Sequence, residues 1–283
     1  EGPFLGGAPG AHPRRHLVPV DLAWLSALPD HVAVVTLAPE QPDSVRATEM
    51  LVAAGRLVAL GHTTASGDQV DAMAAAGAGL ATHLFNGMSG VHHRDPGVAA
   101  FVMTNHRLSA SLIADGVHVH PRVLRLAWQA LGDDRVILVT DAVAWRAGRV
   151  GHLGVELRDG APRLPDGTLA GSAITMIEAI RTCVAAGVDE AAAIRAASVN
   201  PARLLGLTGR SGVAPGARAD LVAIHLDTPR TAGADPAQIL LAATASDVDT
   251  VIRDGEEVVT GGRHRPDPLS PPAQPDRGLP GQP

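Results

Sequence analysis

The sequence contains one cysteine, no tyrosine and few aromatic residues, which make up 2% of its 283 positions. A single cysteine, Cys183, excludes an internal disulfide framework and a zinc site built from thiolates. The net charge of −6 disfavours nucleic acid as a partner, because phosphate backbones are bound by clusters of basic residues. No apolar run approaches the roughly 18 residues of a membrane span, and no secretory signal pattern is found. We therefore expect a cytoplasmic protein that binds neither membranes nor nucleic acid.

The composition is typical of a globular protein with a core of small aliphatic residues, since 46% of residues are hydrophobic and 18% are charged. Thirteen histidines beside one cysteine imply that any bound metal is held by nitrogen and oxygen ligands. The chain opens with Glu1-Gly2-Pro3-Phe4 and no initiator methionine, which we interpret as a start within a domain.

Short β-branched runs alternate with alanine- and leucine-rich stretches of helical length along the first 210 residues. The runs predicted to be strands are 32–36, 57–60, 80–83, 108–113 and 136–140. Continuous apolar strands that alternate with helices are typical of a parallel sheet covered by helices. The pattern therefore predicts an α/β fold, and Asp159-Gly160 predicts a hairpin turn further along.

The pattern changes from residue 220 onward to short strands. We assign residues 1–210 to the α/β part and residues 211–262 to strands of a small β-sandwich. Residues 263–283 are rich in proline and poor in apolar side chains, which predicts a disordered tail.

Four polar residues fall at, or just beyond, the ends of predicted strands: His62, His83, His118 and Asp141. In parallel α/β folds, ligands and catalytic groups occupy this face of the sheet, so the four side chains are expected to converge. Imidazoles and a carboxylate suit a divalent ion such as zinc or iron, and a further carboxylate can transfer protons. Each residue also has a plainer interpretation, as a hydrogen-bonded structural histidine or as an aspartate that caps a turn. Their shared face favours the functional interpretation.

Ten short segments carry a resemblance along residues 1–260. They are Glu1-Gly2-Pro3-Phe4-Leu5, Gly10-Ala11-His12, Thr36-Leu37-Ala38-Pro39-Glu40, Gly61-His62-Thr63, Thr82-His83-Leu84-Phe85-Asn86-Gly87-Met88, His93-Arg94-Asp95-Pro96-Gly97, Ile113-Ala114-Asp115-Gly116-Val117-His118, Val139-Thr140-Asp141-Ala142, Leu169-Ala170-Gly171-Ser172 and Asn200-Pro201-Ala202-Arg203. In this order they resemble the N-acetylglucosamine-6-phosphate deacetylase family of the amidohydrolase superfamily. The resemblance implies a (β/α)8 barrel of the TIM type followed by strands of a small β-sandwich. Family members begin further upstream, so we expect an N-terminally truncated barrel that lacks its first strands.

The resemblance implies a metal site formed by Glu1, His62 and His83, with Zn²⁺ or Fe²⁺ as the expected ion. Asp141 corresponds to the family's acid/base carboxylate, and His118 resembles the histidine that contacts the sugar and the carbonyl group. Many relatives carry a second metal ligand pair on a segment upstream of Glu1, so only one metal site is predicted here. Because Glu1 is the first residue, we expect it to be the least firmly held ligand.

The resemblance further implies a phosphorylated amino sugar as the substrate. Asn86 and Gly87 match the segment that binds the sugar phosphate, and His12 matches a further substrate-binding histidine. Arg94 matches an arginine that reaches the phosphate of a neighbouring subunit, which implies a homodimer. Asn86-Gly87 is equally typical of a turn, and Arg94 beside Asp95 is typical of a local ion pair worth less than about 1 kcal/mol.

The predicted reaction is hydrolysis of the N-acetyl group of N-acetylglucosamine 6-phosphate, in amino-sugar catabolism, with Asp141 as acid/base. Another amidohydrolase, such as a cyclic amidase or a deaminase, would share the metal ligands and Asp141 but would not need Asn86 and Arg94. A third possibility is a catalytically inactive fragment that associates through exposed strand edges.

Overall fold

The computed structural model describes residues 1–207, 209, 212–225, 236–261 and 263–264. The chain divides into two compact units, Glu1–Gly212 and Val213–Pro283. The predicted boundary at residue 210 lies next to this division. The predicted tail at 263–283 falls outside the described residues except at its first two positions, and the assignment of 211–262 to a β-sandwich stays a prediction.

A five-stranded parallel sheet forms the centre of the first unit. Its strands are Val34–Leu37 (β1), Leu57–Leu60 (β2), Leu80–Ala81 (β3), Ser109–Ile113 (β4) and Val136–Val139 (β5). They lie side by side in the order in which they occur along the chain. Sequential parallel order is that of a (β/α) barrel wall, whereas the order reverses in a doubly wound sheet.

Eight α-helices accompany the sheet within the described part of this unit. They are Leu22–Ser26 (α1), Ser44–Ala53 (α2), Gly67–Ala75 (α3), Gly97–Thr104 (α4), Pro121–Leu131 (α5), Met176–Ala185 (α6), Glu190–Ala197 (α7) and Val199–Leu204 (α8). Local signals explain several helix starts. Pro121 opens α5, where its missing N–H is not needed, and Ser66 with Gln69 forms a capping box at α3. The predicted α/β fold with parallel strands is confirmed.

The core of this unit contains the strands themselves. Leu37, Val58, Leu60 and Leu112 are fully buried, which explains why the strands appear in the sequence as continuous apolar runs. The strand predicted at 80–83 ends at Ala81 instead. The N–H of His83 donates to the side-chain hydroxyl of Ser111 in β4 rather than to a backbone carbonyl of that strand, so the regular pairing of β3 ends there.

Two short antiparallel hairpins follow β5. Arg149–Val150 (β6) pairs with Leu153–Gly154 (β7), and Glu156–Arg158 (β8) pairs with Ala161–Arg163 (β9). The turn predicted at Asp159-Gly160 is confirmed. Both residues have positive φ, 49° and 81°, as a type I′ turn requires.

The second unit contains a four-stranded antiparallel sheet and one α-helix in its described residues. They are Leu221–Ile224 (β10), Pro236–Ala242 (α9), Val248–Arg253 (β11), Glu256–Thr260 (β12) and Arg263–His264 (β13). Asp254-Gly255 makes the tight turn between β11 and β12, again with positive φ at both residues. Across the described ranges of both units, no helix is long and apolar enough to cross a membrane.

Candidate metal and catalytic site

Three of the predicted site residues occupy the same place relative to their strands. His62 follows the end of β2 by two residues, and His83 and Asp141 follow β3 and β5 at the same distance. Because the carboxyl ends of parallel strands lie at one edge of the sheet, equal offsets bring the three residues to that edge. All three line a single cleft with a volume of about 630 Å³.

The cleft contains most of the predicted site residues. In addition to these three it is lined by Glu1, His12, Asn86, Gly87 and His118. Arg94 is absent from the described lining of the cleft and lies on an exposed loop. There its Nη1 atom lies 2.8 Å from Nε2 of His93, and no ion pair with Asp95 is found among the described contacts.

The backbone is left-handed at all three strand-end residues. The φ angle is 49° at His62, 27° at His83 and 50° at Asp141. Residues with a Cβ rarely adopt this conformation, which costs on the order of 1–3 kcal/mol each. Strain at three residues that share one cleft is typical of functional positions, because the surrounding structure must enforce it.

The carboxylate of Glu1 is the meeting point of three histidines. Its Oε2 atom lies 2.9 Å from Nε2 of His62 and 3.3 Å from Nε2 of His12. Its Oε1 atom lies 3.1 Å from Nε2 of His83 and accepts a hydrogen bond from the Thr82 hydroxyl at 3.0 Å. The two Nε2 atoms of His62 and His83 are themselves only 3.1 Å apart. Carboxylate oxygens and imidazole nitrogens therefore converge on one point.

The opposite ring nitrogens show which tautomers the two buried histidines favour. Nδ1 of His62 lies 3.2 Å from the carbonyl oxygen of Ala8, and Nδ1 of His83 lies 3.2 Å from that of Asn86. Because a carbonyl oxygen only accepts, each Nδ1 carries a proton, and in a neutral ring Nε2 is left with a lone pair. Two lone pairs this close to each other and to a carboxylate repel unless a cation lies between them. The donor set therefore fits a divalent metal ion.

The contacts between Glu1 and the three histidines shift the pKa values of Glu1 and His83. Burial alone would raise the pKa of Glu1, but its side-chain contacts with the three imidazoles outweigh it, so this pKa lies far below its ordinary value. Burial alone would lower the pKa of His83, yet the neighbouring Glu1 carboxylate raises it. Glu1 is therefore ionised at neutral pH and supplies the negative charge of the ligand set.

Glu1 is followed by residues that fix its segment to the sheet. Phe4 is 1% exposed, and its carbonyl oxygen accepts the N–H of Ala38, just beyond β1, at 3.1 Å. The N–H of Gly6 donates to the carbonyl oxygen of His62 at 2.8 Å. These contacts hold the first residues against the strand ends that carry the candidate ligands.

Glu40, to which the sequence reasoning assigns no role, braces the same region. Its Oε1 atom accepts the N–H groups of Gly7 and Thr64, each at 2.9 Å, and its Oε2 atom contacts the Thr63 hydroxyl. The carboxylate thus connects the N-terminal segment with the loop that follows β2. Outer contacts of this kind fix the orientation of metal ligands.

The Asn86–Gly87 turn packs directly under a candidate ligand. Gly87 has a φ of 58°, and a Cβ there would lie 2.7 Å from Nδ1 of His62. The side-chain amide of Asn86 donates to the carbonyl oxygen of His83 at 3.2 Å. This geometry is compatible with turn chemistry and with a phosphate contact, because both residues also line the cleft.

Asp115 is a further residue that the sequence reasoning leaves without a role. It follows the end of β4 by two residues, the same offset as the other strand-end residues, so this signal could have found it. Its Oδ2 atom lies 2.6 Å from Nδ1 of His118. Burial alone would raise the pKa of Asp115, but hydrogen bonds from His118 and Val117 lower it.

Asp141 is fixed by the segment that precedes α6. Its carbonyl oxygen accepts the N–H of Ser172 at 2.8 Å, and the N–H of Val143 donates to the carbonyl oxygen of Ser172 at 3.1 Å. The Ser172 hydroxyl also donates to the carbonyl oxygen of Thr140. Gly171 approaches so closely that a Cβ there would lie 2.7 Å from the carbonyl oxygen of Asp141. The backbone of Asp141 is therefore clamped from one side.

Comparison with known proteins identifies relatives of this chain. A profile of the amidohydrolase family matches residues 25–258. The chain is 39% identical over 236 residues to N-acetylgalactosamine-6-phosphate deacetylase of Escherichia coli O157:H7, covering 79% of this chain and 62% of that protein. It is 33% identical over 237 residues to N-acetylglucosamine-6-phosphate deacetylase of Lysinibacillus sphaericus, covering 79% and 61%.

A solved structure that is similar to this chain in sequence and fold has a name of the same kind as these relatives. It is a mutant N-acetyl-D-glucosamine-6-phosphate deacetylase from Mycobacterium smegmatis in complex with N-acetyl-D-glucosamine-6-phosphate. The TM-score is 0.78 at 36% identity, over 92% of this chain and 67% of that one. The chain spans about three fifths of the length of the curated relatives. The predicted resemblance and the α/β barrel class are confirmed, and the chain belongs to the amidohydrolase family.

Proposed function

We propose that the protein hydrolyses the N-acetyl group of N-acetylglucosamine 6-phosphate to glucosamine 6-phosphate and acetate, in amino-sugar catabolism. The observation that carries this proposal is the convergence of the Glu1 carboxylate with Nε2 of His62 and of His83, in a cleft that Asp141 also lines. Relatives named for this activity support the choice of reaction. The cytoplasmic location stays a prediction.

Glu1, His62 and His83 would hold the divalent ion, with Zn²⁺ and Fe²⁺ as the candidates because both accept nitrogen and oxygen donors. When bound, the ion supplies positive charge that lowers the pKa of a water molecule and polarises the acetyl carbonyl group. His12 is a further candidate ligand, since its donor atom lies within 4.8 Å of those of Glu1 and His62.

Asp141 is assigned both proton transfers. It accepts a proton from the water that attacks the acetyl carbonyl carbon, so that a C–O bond forms. It then delivers that proton to the amide nitrogen as the C–N bond breaks, because an amine leaves poorly as an anion. The products are acetate and the free amino sugar. The clamp on its backbone by Ser172 keeps the carboxylate at the cleft during both steps.

The phosphate is proposed to lie against the Asn86–Gly87 turn, with His12 contacting the sugar. Arg94 lies on an exposed loop outside the cleft of its own chain. That position supports the proposal that Arg94 serves the phosphate of a neighbouring subunit in a homodimer, where a guanidinium can bond two phosphate oxygens at once.

A second candidate substrate is N-acetylgalactosamine 6-phosphate, because the relative with 39% identity is named for that epimer. The two sugars differ only in the orientation of the hydroxyl group at C4. Both would use the same metal ligands and Asp141, so only direct comparison separates them. Cyclic amidase or deaminase activity has no comparable support among the relatives, although the metal ligands would suit it.

The test is acetate release by purified protein loaded with Zn²⁺ or Fe²⁺, measured on both 6-phosphates and on unphosphorylated N-acetylglucosamine. We expect release from N-acetylglucosamine 6-phosphate with a kcat/KM well above that of the other two. Equal rates with and without phosphate would refute the phosphate site but not the deacetylase. Bound metal without release from any of the three would refute the proposed function and favour the inactive-fragment alternative.

Replacing Gly171 by alanine is expected to lower turnover about tenfold or more while leaving the metal bound. The new Cβ would collide with the carbonyl oxygen of Asp141 and displace its carboxylate, and small displacements of catalytic groups are costly. Gly132→Ala is the matched control, because Gly132 also has positive φ, 73°, but lies in open space. Equal turnover in Gly171→Ala and Gly132→Ala would contradict the claim that the segment containing Gly171 and Ser172 fixes the position of Asp141.

A further inference from the structure

Asp115 and His118 form a buried pair beside the cleft. The side chain of Asp115 is 1% exposed and that of His118 is 4% exposed. Nδ1 of His118 lies 2.6 Å from Oδ2 of Asp115, which is short for a contact between a ring nitrogen and a carboxylate. His118 also lines the cleft, and its Nδ1 edge faces Asp115.

The two carboxylate oxygens of Asp115 have separate partners. Oδ1 accepts the backbone N–H groups of Val117 and His118, at 2.9 Å and 2.7 Å. Oδ2 faces the imidazole alone among the described contacts. An ionised carboxylate only accepts, so the His118 nitrogen that faces it must carry a proton. In a neutral ring this leaves Nε2, on the opposite edge, without one.

We propose that Asp115 is a positioning residue that keeps a proton of His118 on Nδ1, so that Nε2 of the neutral ring presents a hydrogen-bond acceptor to the cleft. The ligand group that Nε2 takes is an amide N–H, which can only donate. His118 therefore orients the substrate through a donor group rather than polarising the acetyl carbonyl. The identity of the ligand rests on the proposed function, whereas the tautomer does not.

The variant Asp115→Asn tests the tautomer directly. The asparagine oxygen is needed at the Oδ1 position, because two backbone N–H groups converge there. Its NH₂ group then replaces Oδ2 and donates to Nδ1 of His118, which forces the proton to Nε2. The substitution keeps the size of the side chain and the hydrogen bonds of its turn, but it changes the tautomer of the His118 ring. The same change of tautomer follows when the buried aspartate of a serine-protease triad is replaced by asparagine.

The tautomer is measured by long-range ¹H–¹⁵N NMR of histidine-labelled protein with diamagnetic Zn²⁺ added. The His118 ring is assigned from the signals lost in His118→Gln. We expect the Nδ1–H pattern in wild type and the Nε2–H pattern in Asp115→Asn. An Nε2–H or doubly protonated ring in wild type at neutral pH would overturn the proposal even if the variant fails to fold. An unchanged tautomer in a folded variant would also overturn it.

Ligand binding provides the second measurement. Two N–H donors would face each other in Asp115→Asn, so the Kd for N-acetylglucosamine 6-phosphate should rise about tenfold. Asp189→Asn is the matched control, because it removes the same charge at the start of α7, where asparagine caps equally well, and should leave Kd unchanged. An inverted tautomer with unchanged Kd would overturn the substrate contact. Absence of binding in wild type would refute the proposed substrate, while the NMR result would still decide the tautomer.

Discussion

Replacement of Asp141 by asparagine is expected to reduce acetate release by ~10²–10⁴-fold, the range that general acid–base catalysis contributes. Asparagine keeps the size of the side chain, and the backbone of residue 141 remains clamped by Ser172. The amide can neither accept a proton from water nor deliver one to the leaving nitrogen. The metal should stay bound, because the candidate ligand atoms belong to other residues.

The measurement is kcat for N-acetylglucosamine 6-phosphate together with metal content for each protein. Asp21→Asn is the matched control. Asp21 caps α1 through the N–H of Trp24, asparagine caps as well, and its turnover should equal that of wild type. Turnover near wild type in Asp141→Asn would remove this residue from the proton transfers. Loss of metal from Asp141→Asn would instead indicate that Asp141 is itself a metal ligand.

Much of this site could be predicted because it depends on strand ends, which leave a signal in the sequence. Buried parallel strands appear as apolar runs, and a polar residue at or just beyond the end of a run, two positions after β2, β3 and β5 in the structure, reaches the same edge of the sheet. This reasoning identified His62, His83 and Asp141. The same offset after β4 would also have identified Asp115, but an aspartate in a glycine-containing segment reads equally well as a turn residue.

Other features depend on contacts between segments that are distant in the chain, and no local pattern reports them. The clamp on Asp141 comes from Ser172, and the brace formed by Glu40 joins Gly7 to Thr64. Positive φ at the strand-end residues is also hidden, because histidine and aspartate carry no sequence mark of left-handed backbone in the way that glycine does. Such constraints arise from the packed structure as a whole.

Replacement of His62 by alanine is expected to remove the bound metal and, with it, the thermal stabilisation that Zn²⁺ gives the wild-type protein. A ligand that binds only the folded state at 100 times its Kd adds about 2.7 kcal/mol to stability. Without His62 the site keeps the carboxylate but loses the imidazole nearest to it. Metal content and Tm, each with and without a chelator, measure the effect. His106→Ala, which removes an exposed imidazole, should behave as wild type.

The same measurements on His83→Ala and His12→Ala decide whether His83 or His12 is the third metal ligand beside Glu1 and His62. The side chain of His83 is 8% exposed, and its Nδ1 atom lies against the carbonyl oxygen of Asn86, so the ring is already oriented for the metal. His12 is 36% exposed and lies 3.3 Å from the Glu1 carboxylate, so more ordering would be needed to make it a ligand. We expect His83→Ala to lose the metal, and His12→Ala to retain it with a higher KM for the sugar phosphate. Metal loss in His12→Ala alone would exchange the roles of the two histidines.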